Sequence, residues 1–223
     1  MKTLIVKKGE ELKAARILSN RTDDDFDAVD ATVKEVIARV RAEGDDALYY
    51  YSEKFGGPGK TETGPLRVTE EELEEAYRSV EPEVTAALEL AAENIRSFHE
   101  KQLQKTWSYT KGDNIMLGQL IVPIQNVGVY VPGGTAAYPS SVLMNVIPAK
   151  IAGCPRIVMC SPAGKDGKIS KYILAAAKIT GADEIYKTGG AQGIAALAYG
   201  TESIKSVDKI TGPGNIFVAT AKR

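Results

Sequence analysis

Residues 184–193 have the sequence Glu-Ile-Tyr-Lys-Thr-Gly-Gly-Ala-Gln-Gly, which combines a short β-prone run, a pair of glycines and the start of a helix. The same unit occurs four times in the second half of the chain, with strands predicted at residues 127–131, 156–160, 184–187 and 209–211. Helices are predicted to start near residues 140, 170, 190 and 214. Repeated units of this kind close into a parallel sheet with helices on both faces, so the pattern predicts an α/β fold.

A glycine-containing turn follows each predicted strand. The turns are Pro132-Gly133-Gly134, Ser161-Pro162-Ala163-Gly164, Gly189-Gly190 and Gly212-Pro213-Gly214. Ligands of open parallel sheets bind beyond the carboxyl ends of the strands, where these turns fall. Glycine permits close backbone approach, and the N-terminus of the following helix presents free N–H groups, which suits a phosphate. Neither G-x-G-x-x-G nor G-x-x-x-x-G-K-[ST] is present, so the standard dinucleotide and P-loop motifs are absent.

Three polar side chains accompany the turns and are the candidate ligand-binding residues. Tyr130 ends the first predicted strand, Gln192 lies in the third turn, and Asn215 lies in the fourth. A tyrosine can stack on a base or bind a ribose, and amides can bind ribose hydroxyls, a carboxamide or phosphate oxygens. The structural alternatives are strand packing for Tyr130, a helix-surface position for Gln192 and an N-cap for Asn215. The residues alone leave both interpretations open.

The first half of the sequence predicts helices. Apolar residues recur at three-and-four spacing from Phe26, and Thr22 is a candidate N-cap for this helix. Thr69 and Glu72 match a capping box, and Pro82 suits the first turn of a longer helix whose apolar seam ends at Phe98. A further strand is predicted at residues 116–123.

Charge and glycine content divide the 223 residues into two regions. Residues 1–110 contain 16 Lys and Arg against 23 Asp and Glu, with 6 of the 21 glycines. Residues 111–223 contain 12 against 6, with 15 glycines. We therefore expect an acidic, mainly helical region at 1–110 and a glycine-rich Rossmann-like region at 111–223. The basic balance of the second region agrees with an anionic ligand, but it lacks the Lys/Arg clusters of nucleic-acid-binding proteins.

Other function classes are excluded by what the sequence lacks. It has no 18-residue apolar run and no N-terminal signal segment, which predicts a cytoplasmic protein with no membrane association. The thiols of Cys154 and Cys160 are expected to be reduced in that compartment. Two cysteines and the single His99 cannot supply four ligands at zinc-site spacing, so no metal ligands are assigned. His99 has no accompanying nucleophile or motif, and a helix-surface position is favoured for it over a general base.

Four segments resemble the histidinol dehydrogenase family. They are Asn94-Ile-Arg-Ser-Phe-His-Glu-Lys-Gln102, Val127-Gly-Val-Tyr-Val-Pro-Gly-Gly-Thr135, Gly189-Gly-Ala-Gln-Gly-Ile-Ala-Ala-Leu-Ala-Tyr-Gly-Thr201 and Val207-Asp-Lys-Ile-Thr-Gly-Pro-Gly-Asn215. The resemblance extends over essentially the whole chain. It implies a homodimeric, zinc-containing enzyme of histidine biosynthesis that oxidises L-histidinol through histidinaldehyde to L-histidine and reduces two NAD. The family's NAD-contacting Tyr, Gln and Asn correspond to Tyr130, Gln192 and Asn215.

The resemblance also implies what this chain lacks. Family members are about twice as long, and their zinc ligands and catalytic Glu-His pair come later than Arg223. No residue here corresponds to them, so no catalytic residue is assigned. The resemblance predicts an incomplete Rossmann-like sheet in an N-terminal portion of the enzyme that is inactive in isolation. Two alternatives remain. The first is a natural short paralogue that is not catalytic and either binds nucleotides or has a regulatory role. The second is an NAD-dependent dehydrogenase of another amino alcohol.

Overall fold

The computed structural model describes residues 6–12, 15, 24–133 and 137–223. Nine helices and six strands lie in this part of the chain. The helices are α1 (Asp24–Glu43), α2 (Asp45–Lys54), α3 (Lys60–Thr63), α4 (Glu70–Arg78), α5 (Pro82–Glu100), α6 (Pro139–Ile151), α7 (Lys171–Thr180), α8 (Gly190–Tyr199) and α9 (Ile216–Lys222). The strands are β1 (Trp107–Lys111), β2 (Ile115–Gln119), β3 (Asn126–Tyr130), β4 (Arg156–Cys160), β5 (Glu184–Tyr186) and β6 (Lys209–Thr211).

The predicted parallel sheet is confirmed. Its strand order is β5-β4-β3-β6, and all three strand pairs are parallel. Residues of β4 alternate between the two faces: Ile157 and Met159 join the core beneath α6 and α7, whereas Val158 and Cys160 join the core beneath α8. The strand therefore has two buried faces, as strands of parallel sheets generally do.

The helices of the acidic region cover both faces of this sheet. α4 and α5 pack over α7 and α6 on one side, and α1 packs over α8 and α9 on the other. In α1, Val33, Val36 and Val40 are buried, which confirms the spacing that predicted this helix. The candidate N-cap Thr22 lies outside the described residues. Residues from both compositional regions thus share the same two cores.

The predicted capping box and helix-starting proline of the acidic region are confirmed, whereas the predicted end of the apolar seam is wrong. Thr69 Oγ1 accepts the Glu72 N–H at 3.1 Å at the start of α4, and Pro82 occupies the first turn of α5. Phe98, in contrast, is 63% exposed, so the apolar seam of α5 ends at Ile95. The side chain of Phe98, in the last turn of α5, does not join the core.

A two-stranded hairpin precedes the sheet. β1 and β2 pair antiparallel, and all ten of their residues are exposed. β1 was not predicted, and the strand predicted at residues 116–123 is shorter, ending at Gln119. None of the helices within the described ranges is both long and apolar enough to cross a membrane.

A buried ion pair attaches α4 to the carboxyl end of β5. Lys187 Nζ lies 2.8 Å from Glu72 Oε2, with side-chain exposures of only 8% and 18%. The Lys187 ammonium also lies 3.5 Å from the carbonyl oxygen of Thr63. Removing one member of such a pair leaves a charge without its counter-charge away from water.

The turn after β6 requires glycine for two reasons. Gly212 has φ +110°, a region that residues with a Cβ rarely adopt, and a Cβ built there would lie 2.0 Å from the Tyr130 carbonyl oxygen. The backbones of the turn after β6 and of the end of β3 thus meet at a distance that excludes any side chain at residue 212.

We expect Gly212→Ala to lower the free energy of unfolding by more than about 2 kcal/mol, because backbone strain and overlap with Tyr130 add together. Urea unfolding of the variant measures the loss. Gly112→Ala is the matched control, since Gly112 has φ +65° but no atom within 4 Å of a built Cβ. It should lose at most about 1 kcal/mol, and equal losses at the two positions would contradict the proposed overlap.

We expect Lys187→Met to lower the free energy of unfolding by about 3 kcal/mol, because the Glu72 carboxylate loses its partner. The double variant Lys187→Met/Glu72→Leu should recover most of that loss in the same unfolding experiment. Lys60→Met breaks the exposed pair with Asp46, which has the same 2.8 Å separation, and should have a much smaller effect. A double variant no more stable than Lys187→Met would be inconsistent with an uncompensated charge.

Candidate functional site

The turns after β3, β4 and β5 meet around one proline. A Cβ built on Gly133 would lie 3.0 Å from Pro162 Cγ, and one on Gly189 would lie 2.6 Å from Pro162 Cβ. The glycines of the first and third turns therefore have a packing function, because they let the neighbouring turns close on Pro162. Three of the turns at the carboxyl edge of the sheet are consequently in close contact with one another.

A cavity of about 690 Å³ lies beside this edge, between the turns and helices α1 and α2. Its volume is within the range typical of small-molecule and cofactor sites. Its apolar walls include Val33, Val36, Phe55 and Phe217. Its polar and charged lining residues are Thr32, Ser52, Lys165, Lys187, Thr188, Gln192 and Asn215.

Gln192 is buried at this cavity. It lies in the first turn of α8, is 5% exposed, and its Oε1 has no hydrogen-bond partner among the described residues. A Cβ on Gly190, which has φ +63°, would lie 2.6 Å from that oxygen. The structural alternative of a helix-surface position is wrong for Gln192, because α1 and α2 cover this side of α8.

Asn215 lines the same cavity and also caps a helix. Its Oδ1 accepts the Val218 N–H at 3.1 Å at the start of α9, as the structural alternative predicted. The residue remains exposed, and its amide nitrogen is left to donate to a ligand. For Asn215, therefore, capping and ligand binding are compatible.

Tyr130 lies behind the cavity rather than in its lining. It is 5% exposed and packs against Ile194 and Val218. Its hydroxyl accepts the Gly190 N–H at 3.1 Å, which fixes the glycine pair that precedes Gln192. Burial raises the pKa of Tyr130, while the hydrogen bond from Gly190 acts in the opposite direction. The structure thus brings Gln192 and Asn215 to one cavity and connects Tyr130 to it through Gly190.

Two further buried hydroxyls at this edge were not predicted from the sequence. Thr188 and Ser161 are 4% and 0% exposed, and neither Oγ has a hydrogen-bond partner among the described residues. Ser161 directly follows β4, and Thr188 lies two residues after the end of β5 and directly before Gly189. These positions beside the glycine turns are the signal by which the two hydroxyls could have been found. Buried polar atoms are normally paired, so unpaired atoms grouped at one edge point to a ligand.

At the amino edge of the sheet, in contrast, the polar side chains are paired within the protein. There the Arg156 guanidinium donates to both oxygens of Glu184, at 2.8 and 3.1 Å, and to the carbonyl oxygens of Lys205 and Ser206. Hydrogen bonding to Glu184 raises the pKa of Arg156. The polar groups of this amino edge are satisfied within the protein, which indicates a structural role.

The described residues contain no group of three or more His, Cys, Asp and Glu side chains that could hold a metal ion. His99 lies in the last turn of α5, where its Nδ1 is 2.7 Å from Gln102 Oε1. Cys154 and Cys160 are both free and buried, and burial raises the pKa of the Cys160 thiol. These residues therefore do not fit the zinc ion that the family resemblance implies, and no chemical step is assigned to zinc here.

Known proteins match this chain along most of its length. A family model described as histidinol dehydrogenase matches residues 19–223. The histidinol dehydrogenase of Bacillus subtilis is 51% identical over 223 residues, which are 100% of this chain and 51% of that protein. That of Listeria monocytogenes is 56% identical over 195 residues, or 87% of this chain and 45% of the relative.

A solved structure supports the same relationship. The crystal structure of histidinol dehydrogenase from Elizabethkingia anophelis superposes with a TM-score of 0.81 at 38% sequence identity. The match covers 86% of this chain and 44% of that one. The chain thus spans about half the length of the relatives it matches.

Proposed function

The chain belongs to the histidinol dehydrogenase family, and we propose that it forms the NAD-binding part of such an enzyme. The observation that carries this proposal is the cavity at the carboxyl edge, where the buried Gln192 Oε1 has no partner within the described residues. Parallel sheets of this type bind nucleotides beyond the carboxyl ends of their strands. A dinucleotide also fits the mixture of apolar walls and a few polar groups.

The three cofactor residues have different proposed roles. Gln192 and Asn215 face the cavity and bind NAD through their amide groups. Tyr130 holds the Gly190 amide and so positions Gln192, which makes it a positioning residue in this arrangement. NAD supplies the hydride acceptor for the reaction.

For the whole enzyme we propose the reaction of the family. L-Histidinol is oxidised through histidinaldehyde to L-histidine with reduction of two NAD, in a cytoplasmic, zinc-containing homodimer. The identities of 51% and 56% to histidinol dehydrogenases support this substrate over another amino alcohol and over a separate nucleotide-binding or regulatory role. The zinc ligands and the catalytic groups are not among the residues assigned here.

Titration of the chain with NAD tests the proposed site. We expect weak binding, with amide NMR signals of residues 189–192 shifting most, because these residues line the cavity. The indole of Trp107 lies in the hairpin and is a poorer reporter. Absence of any shift of the amide signals at millimolar NAD would contradict the proposal.

Gln192→Met should weaken NAD binding about tenfold, since the ligand loses one hydrogen bond of roughly 1.4 kcal/mol. Stability should be retained, because the substitution keeps the side-chain volume and Oε1 has no partner in the protein. Gln119→Met, on the exposed hairpin, is the matched control and should bind NAD normally. Equal affinities of the Gln192 and Gln119 variants would argue against the assigned cavity.

The isolated chain should not oxidise L-histidinol. Its only histidine, in the last turn of α5, is hydrogen-bonded to Gln102, and no metal-ligating cluster occurs in the described residues. The measurement is NADH formation on mixing the chain with L-histidinol, NAD and zinc, with a full-length relative as positive control. Histidinol-dependent NADH formation by the chain itself would be the opposite result.

A further inference from the structure

Two residues that line the cavity each carry a buried polar atom without a partner among the described residues. Thr188 is 4% exposed and Gln192 is 5% exposed, and the unpaired atoms are Thr188 Oγ1 and Gln192 Oε1. Both residues line the cavity, one just before the Gly189-Gly190 turn and the other just after it. Leaving such groups unpaired in a folded protein is unfavourable unless a ligand satisfies them.

The chemistry of the two atoms limits what the ligand presents to them. The Gln192 amide oxygen only accepts hydrogen bonds, whereas the Thr188 hydroxyl can donate and accept. With the Gln192 amide oriented as it is in this structure, a phosphodiester has no hydrogen to donate to Oε1 and would satisfy only Thr188 Oγ1. Neighbouring hydroxyl groups can satisfy both atoms, because each hydroxyl both donates and accepts.

The buried cation beside Thr188 is already paired within the protein, whereas Lys165, the other lysine of the cavity lining, is exposed. Lys187 precedes Thr188 and lines the cavity, but its ammonium is paired with Glu72 at 2.8 Å. Asn215 also lines the cavity. Its Oδ1 accepts the Val218 N–H, and its amide nitrogen is available to donate a hydrogen bond to a ligand. The part of the cavity wall next to Thr188 therefore offers uncharged hydrogen-bonding groups, because the nearest buried cation is paired with Glu72.

We propose that Thr188 is a further ligand-binding residue, and that its hydroxyl and the Gln192 amide oxygen together bind the two hydroxyl groups of one ribose of the dinucleotide. This inference rests on the proposed NAD site and adds to it a residue and a chemical group. Thr188 lies on the short segment that Gly189 allows to pack against Pro162, so its position is fixed by the meeting of the turns.

Thr188→Val tests the role of the hydroxyl at almost constant volume. NAD affinity should fall about tenfold, while the midpoint of urea unfolding stays the same or rises, because an unpaired buried hydroxyl is replaced by a methyl group. Thr188→Ser should restore binding. A purely structural role predicts the opposite, namely lower stability and unchanged affinity.

Thr180→Val is the matched control. Thr180 is 5% exposed and its hydroxyl is satisfied by the Ala176 carbonyl oxygen at 2.8 Å. This variant should be less stable than the unaltered chain but should bind NAD with the same affinity. The two substitutions thus separate loss of a ligand contact from loss of an internal hydrogen bond.

NAD analogues that lack both hydroxyl groups of one ribose or the other identify the ligand group. One analogue should bind the unaltered chain about tenfold more weakly than NAD, and Thr188→Val should weaken that analogue little further. If Thr188→Val weakens the binding of both analogues as much as it weakens the binding of NAD, the ribose assignment would be overturned. NAD binding that is unaffected by Thr188→Val would overturn this inference alone, whereas no NAD binding by the unaltered chain would overturn the proposed function as well.

Discussion

The close approach of backbone turns at the carboxyl edge of the sheet is the constraint on which the rest of the site depends. Gly189 approaches Pro162 and Gly212 approaches the carbonyl oxygen of Tyr130 at distances that leave no space for a Cβ, and Gly133 also lies close against Pro162. Once these turns are in place, Gly190 can donate to the Tyr130 hydroxyl and α8 starts at a fixed position. The position of Gln192 in the cavity wall follows from that start.

The two edges of the same sheet use polar groups in different ways. At the amino edge, Arg156 is surrounded by acceptors and stabilises the arrangement of β4, β5 and the segment before β6. At the carboxyl edge, buried hydroxyl and amide oxygens lack protein partners. A well-packed core on both faces of the sheet supplies the stability that compensates for these unpaired groups.

Much of the sheet could be predicted from the sequence because its local and global signals agree. β4 and β6 have the predicted bounds, and the glycine turns follow the strands as expected. The hairpin strand β1 gave no such signal, since its residues pack on no core and lack a buried face. The burial of Gln192 was equally inaccessible, because it depends on α1 and α2, which are more than 130 residues away in sequence. Candidate residues could thus be named from turn positions, whereas hydrogen-bond satisfaction, which distinguishes Thr188, required the tertiary structure.

The order of strands in the sheet also affects how this chain acquires its structure. β3 lies between β4 and β6, although β6 follows it by about eighty residues, and Asp45 near the beginning contacts Ser203. Such long sequence separations slow folding, because large loops must close before their contacts become favourable. During synthesis, α1 and α2 emerge long before α8, so their apolar faces stay uncovered until the second half has been made. These early helices therefore depend on protection from aggregation in the nascent chain.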